Sequence, residues 1–469
     1  MVRQLTTRAQ VSGYRFLLQR AEHALVRRDA RMLHDPMRAQ RQSITVGIVL
    51  AVLVTAGSGV YGLIRPVGSV ADSPIVLNRA DGGLYVVVDK TAHPVLNLAS
   101  ARLIAQSAAA PKTVSPAALR DLPRGPTLGI VGAPNALGSG AATSWSVCDA
   151  AERAGGSPRT AVVIGPAGAD GLRGDPAAGL LAAVDGDHHL VYRLGEGLSA
   201  RTVRARVDTR SAAIRRALRL DGAAPRSLSA GMFDALEEVP PLRVPAIPGA
   251  GRRGVLGLPV GTVFAVTGVD GGAEHFVAFA DGVQPVPATV AELLRAADDS
   301  AGTKVVSVPP GKVAAVPVVR RLAVDHFPRR VPRLLVAADA PVVCQRWVRE
   351  PGAPAATTSL RAGHAVPGPA AVVPVGADGA GPRVDEIRVA PGSTHDVRLT
   401  GMDPQSTRRT GRVVIGDTGM RHGVPDDATA QVLGLGEPGL APWPVVRLLP
   451  AGPELSRAQA MVARGGFDQ

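Results

Sequence analysis

The stretch Ile44–Ile64, ITVGIVLAVLVTAGSGVYGLI, decides how the rest of the chain is read. Its 21 residues carry no charge, and a helix needs about 20 apolar residues to cross the hydrocarbon core of a bilayer. Nine arginines and three acidic residues precede it over residues 1–43. Ala56-Gly57-Ser58 has the small residues of a signal-peptidase site. The leading segment is nevertheless far longer than a secretory n-region, and the apolar run is longer than an h-region, so a retained anchor is the reading. The arginine excess places residues 1–43 in the cytoplasm and residues 65–469 outside the plasma membrane.

Composition bounds the function. The chain has 469 residues, 46% of them hydrophobic, enough for two or more folded units beyond the anchor. A formal charge of +13 would suit a nucleic-acid binder, but aromatic residues make up only 3% and no basic-aromatic stacking pattern appears. Nucleic acid is therefore set aside. The two cysteines, Cys148 and Cys344, both lie on the exported side. There they form one bridge or remain two separate buried thiols. The absence of any CxxC argues against zinc or redox chemistry.

Upstream of the anchor, QLTTRAQVSGYRFLLQRAEHALVRRDARMLHDP reads as an amphipathic helix capped by Thr6 or Thr7 and ended by Pro36. Val11, Tyr14, Leu18, Ala21 and Leu25 form its apolar stripe, which Met32 extends. Two uses fit: lying on the anionic inner leaflet, or docking a partner through the stripe with Arg15, Arg20, Arg27 and Arg28 at its rim.

Downstream, short β-branched runs bounded by Gly and Asp predict strands at 84–90, 160–165, 262–266, 274–282, 333–339 and 412–417. Helices are predicted over Ser100–Gln106, over Arg210–Leu220 with Asp208 as its cap, and over Thr289–Ala297. YVVVDKTAHPVLNLASARL, FVAFADGVQPVPATVAELL and VVIGDTGMRHGVPDDATAQVL share one plan of strand, Asp turn, Pro step and helix. HLVYRLGEGLSARTV is a fainter fourth. Repeat-like units are thus expected near 78–110, 185–221, 262–298 and 405–436. The Pro/Gly-rich stretch 351–382 reads as a mobile loop or linker.

No catalytic signature emerges. The nearest approach to a phosphate loop, Pro309-Pro310-Gly311-Lys312-Val313, lacks the first glycine and the hydroxyl. Asp185-Gly186-Asp187-His188-His189 reads as a hairpin turn rather than a metal site. Glu237-Glu238 and Asp426-Asp427 read as solvated loop charge. No catalytic or metal-ligating residue is assigned.

The order of TTRAQVSGYRFLLQRAEHALVRRDARMLHDPMR, the anchor, HPVLNLASARLI, RGPTLGIVGAP, WSVCD, EVPPL, DTGMRHGVP and PWPVVRLLPAGPELSRAQA resembles the EccB family, end to end. EccB is the single-pass membrane subunit of the type VII (ESX) secretion machinery. The resemblance implies an α+β chain: one transmembrane helix, then a β-rich extracytoplasmic region with a central β domain and four small repeats. It implies a Cys148–Cys344 disulfide. It implies an EccC-like ATPase and an EccD-like membrane protein as partners, with EccE a subunit that systems outside the mycobacteria can lack. Self-association of the extracytoplasmic region is expected, and contact with the cell wall is a further option. The expected role is a structural subunit that anchors and assembles the export channel. Family members also carry an ATPase label, so ATP is the one cofactor the resemblance raises; none is implied by the residues.

Overall fold

The computed structural model describes residues 7–28, 31, 36–64, 73–138, 142–151, 156–166, 171–268, 271–298, 305–379 and 381–464. Met32 of the apolar stripe lies outside them. The chain divides into two compact bodies, Met1–Ser69 and Val70–Gln469.

In the first body a helix spans Arg8–Arg27. Thr7 starts it with a reciprocal cap: its hydroxyl accepts from Gln10 N (3.4 Å) and its own N–H donates to Gln10 Oε1 (3.0 Å). The helix stops where Arg28 turns left-handed, at φ 56°. The expectation that it runs on to Pro36 is therefore corrected. Pro36 instead opens the next helix, Pro36–Ile64, where a missing N–H costs nothing. At 1.5 Å per residue its 29 residues exceed the roughly 30 Å hydrocarbon core. Ser43, Thr45, Thr55 and Ser58 each donate a hydroxyl to the carbonyl four residues back, at 2.7–2.9 Å. That is how such groups are satisfied away from water.

The second body contains four small units, each a sheet with its helix, built on one plan. In the first, Ile75–Asn78 runs by a hairpin into Leu84–Val88 and then Thr91–Pro94; helix Leu98–Ala105 follows, and Lys112–Val114 returns beside the opening strand, parallel to it. The third repeats this with Val263–Thr267, Ala273–Ala278, Val283–Val286, helix Ala288–Ala297 and Val306–Ser307. The fourth uses Thr394–Thr400, Thr410–Gly416, Arg421–Val424, helix Asp427–Val432 and Gly439–Pro442. The second uses Ala178–Val184, Asp187–Leu194, Arg201–Val207, helix Ala212–Ala217 and Arg226–Ser227. The ranges 78–110, 185–221, 262–298 and 405–436 hold the second and third strands and the helix of each sheet, but leave out Ala178–Val184, Thr394–Thr400 and all but the last residue of Ile75–Asn78. They stop short of every closing strand, whose two to four residues are too few to show a period.

Local differences have local reasons. The second unit's helix is Ala212–Ala217, capped by the Ser211 side chain, not Arg210–Leu220 capped by Asp208. Asp208 instead accepts from Arg210 N (3.0 Å) in a turn. Of the strand expected at 333–339, only Arg333–Leu334 pairs.

A further, six-stranded sheet has the order Glu386–Arg388, Arg159–Gly165, Ser144–Ala150, Val342–Val348, Thr357–Gly363, Arg173–Gly174. Thr357–Gly363 lies inside the stretch expected to be a mobile loop; seven of its residues pair along Val342–Val348 instead. Trp145 and Trp347 sit opposite each other in this sheet, at most 1% exposed. They join a core shared with the second and fourth units, through Leu180, Val191, Val397 and Ile415. A second core joins the second and third units, through Ile214, Val277 and Val290. A third joins the first and fourth, through Ile75, Leu103, Val414 and Leu433. Truncating a buried side chain of the size of Trp145 costs about 3–5 kcal/mol.

Candidate functional site

Two places stand out: the bare helix of the first body and the stapled sheet of the second. On Arg8–Arg27 the whole expected stripe, Val11, Tyr14, Leu18, Ala21 and Leu25, is exposed, Leu25 at 84%. Phe16, Leu17 and Val26, outside that stripe, are exposed as well. Among the described side chains of this helix only His23 is buried, and its position is roughly half a turn from Leu18. Glu22 meets Arg41 of the next helix at 3.1 Å. Arg15, Arg20 and Arg28 lie in solvent beside the stripe.

In the central sheet Cys148 and Cys344 are direct cross-strand partners with Cα atoms 4.0 Å apart, and a disulfide joins them. Both are at most 1% exposed. The bridge closes 196 residues of sequence, so it ties the two halves of the sheet to everything inserted between them. The neighbouring Asp149 is fully buried. Its carboxylate accepts from the N–H of Ser229 (2.8 Å) and from its hydroxyl (2.6 Å). Burial pushes this carboxyl up to about 6, against the Ser229 hydrogen bonds and the nearby Arg226 guanidinium, which lower it. Arg226 donates to Ala340 O and Pro341 O. Asp385 accepts from Thr160 N (2.8 Å), Asp378 N (3.1 Å) and Gly379 N (2.6 Å). Asp149 and Arg226 thus knit the second unit to the sheet, and Asp385 ties the strand Arg159–Gly165 to the turn at Asp378-Gly379.

The remaining charged motifs resolve into structure. Asp185 and Gly186, at φ 49° and 82°, make the two-residue turn of a hairpin. His188 is held by Thr209 Oγ1 (2.7 Å), while His189 packs edge-on against Phe233, so the adjacent histidines diverge. Among the described residues no group of three His, Cys, Asp or Glu side chains is placed to hold a metal. Pro310–Ala314 is a short helix, with Lys312 in solvent. Glu237 and Glu238 are not loop charges: they lie in a strand and pair with Arg201 (2.9 Å) and Arg204 (3.1 Å). Asp426 caps a helix by accepting from Thr429 N, and Asp427 pairs with Arg398 (3.0 Å).

One feature escaped the sequence reading. Beside the third strand of every small sheet a further segment adds in parallel: PRGPTL (123–128), EEVPPL (237–242), PVVRRL (317–322) and PAGPEL (450–455). Each ends on a buried leucine, Leu128, Leu242, Leu322 or Leu455, five residues after its start. The only sequence signal is a proline or glutamate and that leucine, too little to align without the pairing.

Residues 3–469 match the family described as "Type VII secretion system ESX-1, transport TM domain B", T7SS_ESX1_EccB. The chain is 35% identical to the "ESX-3 secretion system ATPase EccB3" of Mycolicibacterium smegmatis, over 98% of this chain and 91% of that protein. It is also 35% identical to the "ESX-1 secretion system ATPase EccB1" of Mycobacterium tuberculosis, over 98% and 95%. Its structure resembles a chain of an intact ESX-5 inner membrane complex, with a TM-score of 0.70, 31% identity and coverage of 100% and 98%. The EccB3 dimer from the ESX-3 core complex gives a TM-score of 0.70 at 30% identity, covering 83% of this chain and all of that one. The family description names a transmembrane domain, and Ala39–Tyr61 is the one span among the described residues long and apolar enough to cross a bilayer. A single membrane helix, a β-rich remainder and a match over nearly the whole length make this chain a single-pass membrane protein of the EccB family.

Proposed function

We propose that this protein is a structural subunit of a type VII secretion complex, anchoring and assembling the export machinery through its membrane helix and its extracytoplasmic body. The observation that carries it is the pairing of a stapled, densely cored body with a helix whose apolar stripe is left bare. Its relatives are solved within ESX inner membrane complexes and as a dimer, which supports partners of both kinds: other secretion subunits and a second copy. The arginine excess over residues 1–43 orients the N-terminus to the cytoplasm and the body outside. On that side the bare helix meets cytoplasmic or membrane-proximal parts of EccC-like and EccD-like subunits through Val11, Tyr14, Leu18, Ala21 and Leu25. An isolated helix of this length is marginal in water, so it owes its order to such packing.

The test is the double variant Leu18→Asp, Leu25→Asp in the full-length chain, which sets two carboxylates in the contact. It should still insert, because Ile44–Ile64 is unchanged, yet drop out of the detergent-purified complex and stop secretion. Normal co-purification and secretion would refute the docking role. The ATPase names of the relatives support a second reading, with ATP as ligand. Magnesium-dependent hydrolysis by the purified chain, abolished by Lys312→Ala, would favour it over the scaffold. Sedimentation with purified cell wall tests the third option.

A further inference from the structure

In the first and third units the chain that follows the added segment turns back over the start of the unit's helix. After Leu128 comes Ile130, which is fully buried. Its carbonyl accepts from Asn97 Nδ2 (2.7 Å) and its N–H donates to Ser100 Oγ (2.8 Å). After Leu322, Phe327 is buried, and Pro328 O accepts from the hydroxyl of Thr289. The chemistry is the same in both: a main-chain carbonyl on a polar side chain, beside a large apolar side chain in the core.

The second unit lacks this cover. Beyond Leu242 its chain leaves for the third unit, where Gly251 N donates to Val260 O (2.9 Å). Between that exit, the hairpin turn at Gly186 and the connection 208–211 lies a cavity of about 530 Å³. Small-molecule pockets have this size. Its floor is apolar, with Val207, Ile214 and Leu242 at most 3% exposed. Its rim is cationic. Arg206 is paired with Asp187 (2.7 Å), and Asp208 accepts from the backbone N–H of Arg210 (3.0 Å). The guanidinium groups of Arg210 and Arg243 are exposed and have no carboxylate partner among the described residues. Such planar forks match the two oxygens of a carboxylate.

We propose that this cavity binds the C-terminal residue of an extended peptide, its carboxylate on Arg210 and Arg243 and its aliphatic side chain on Val207, Ile214 and Leu242. The first unit supplies the precedent, because Leu128-Gly129-Ile130 covers the corresponding place from within the chain. An internal residue there needs only the neutral partners Asn97 and Ser100. A free chain end brings a negative charge, and the second unit has two unpaired arginines to meet it. Burying the aliphatic side chain on the floor supplies the rest of the affinity.

The experiment titrates the full-length chain in detergent, by calorimetry, with acetyl-Leu-Gly-Ile bearing a free carboxylate. The comparison probes are its C-terminal amide, acetyl-Leu-Gly-Gly and inorganic phosphate. The acid should bind saturably, with a Kd below about 1 mM. Each comparison probe should bind about tenfold more weakly or worse, the amide for want of charge and the others for want of a side chain. Arg210→Ala with Arg243→Ala should weaken the acid by about tenfold or more. Arg216→Ala, on the same helix but outside the cavity, should leave binding unchanged. Unchanged amide exchange at Arg201–Val207 checks that the double variant is folded, and the probe comparisons need no variant at all. No saturable binding of the acid, equal binding of acid and amide, or full binding by a folded double variant overturns the proposal. Phosphate binding as tightly as the acid also overturns it, because the arginines would then hold an adventitious ion only.

Discussion

The first and fourth units carry the same device in different settings. Each sets a glycine-proline pair, Gly125-Pro126 or Gly452-Pro453, over a histidine on its third strand. A Cβ added at either glycine would fall 2.1 or 2.2 Å from that ring. His93, however, is half-buried and makes one hydrogen bond, while His422 is wholly buried with both ring nitrogens facing carbonyl oxygens. The motif sets the geometry in both, but burial decides what the geometry is worth. The fourth unit also shares the core of the stapled sheet, which the first does not.

The comparison breaks most visibly at the staple. Cys148→Ser should lower the stability of the body by about 4 kcal/mol, as expected for a bridge closing a long loop. Exchange should rise in Arg421–Val424 before Thr91–Pro94, since of these two units only the fourth leans on the sheet. Equal loosening of the two would erase the distinction drawn here. Denaturant unfolding with exchange read by mass spectrometry gives both quantities.

Asp149 tests burial without either histidine. Its folded value, about 6, stands above the 3.8 of an ordinary aspartate. Its favourable contribution is therefore complete below about pH 4 and is lost as the pH rises through 6. The loss amounts to about 3 kcal/mol at most. Urea midpoints between pH 4 and 8 should show this decline, and Asp149→Asn should flatten it.

His422→Ala removes the ring from two buried carbonyls and should cost about 2–3 kcal/mol, whereas His93→Ala should cost less than about 1. Thermal unfolding separates the two. The glycines give the smallest effects. Gly452→Ala forces its methyl against a ring that has nowhere to go, at about 2 kcal/mol. At Gly125 the half-exposed ring can swing aside, and the cost should stay below about 1 kcal/mol. Similar penalties at both glycines would mean that burial is not the deciding factor.

What could be read directly is what neighbours in sequence settle. Ile44–Ile64 is apolar over its full length, the Asp185-Gly186 turn follows from two residues that tolerate positive φ, and Arg8–Arg27 shows its stripe at helical spacing. The second strand and the helix of each small unit were legible for the same reason, without the opening strands Ile75–Asn78, Ala178–Val184 and Thr394–Thr400. Their closing strands were not, because two to four residues carry no period.

Contacts between distant parts needed the fold. Two cysteines on one side of a membrane leave bridge and free thiols both open; setting Cys148 opposite Cys344 is the work of strand pairing between the two halves of the sheet. Thr357–Gly363, read as linker from its prolines and glycines, becomes a strand because Val342–Val348 offers it a partner edge. PRGPTL and PAGPEL likewise look like loops until a third strand stands beside them. Local propensity comes from the residue and its near neighbours, and so the chain determined by itself its anchor, its turns and its amphipathic helix. A sheet edge is completed by whatever segment the rest of the molecule delivers to it, and only the tertiary structure decided which segments those were.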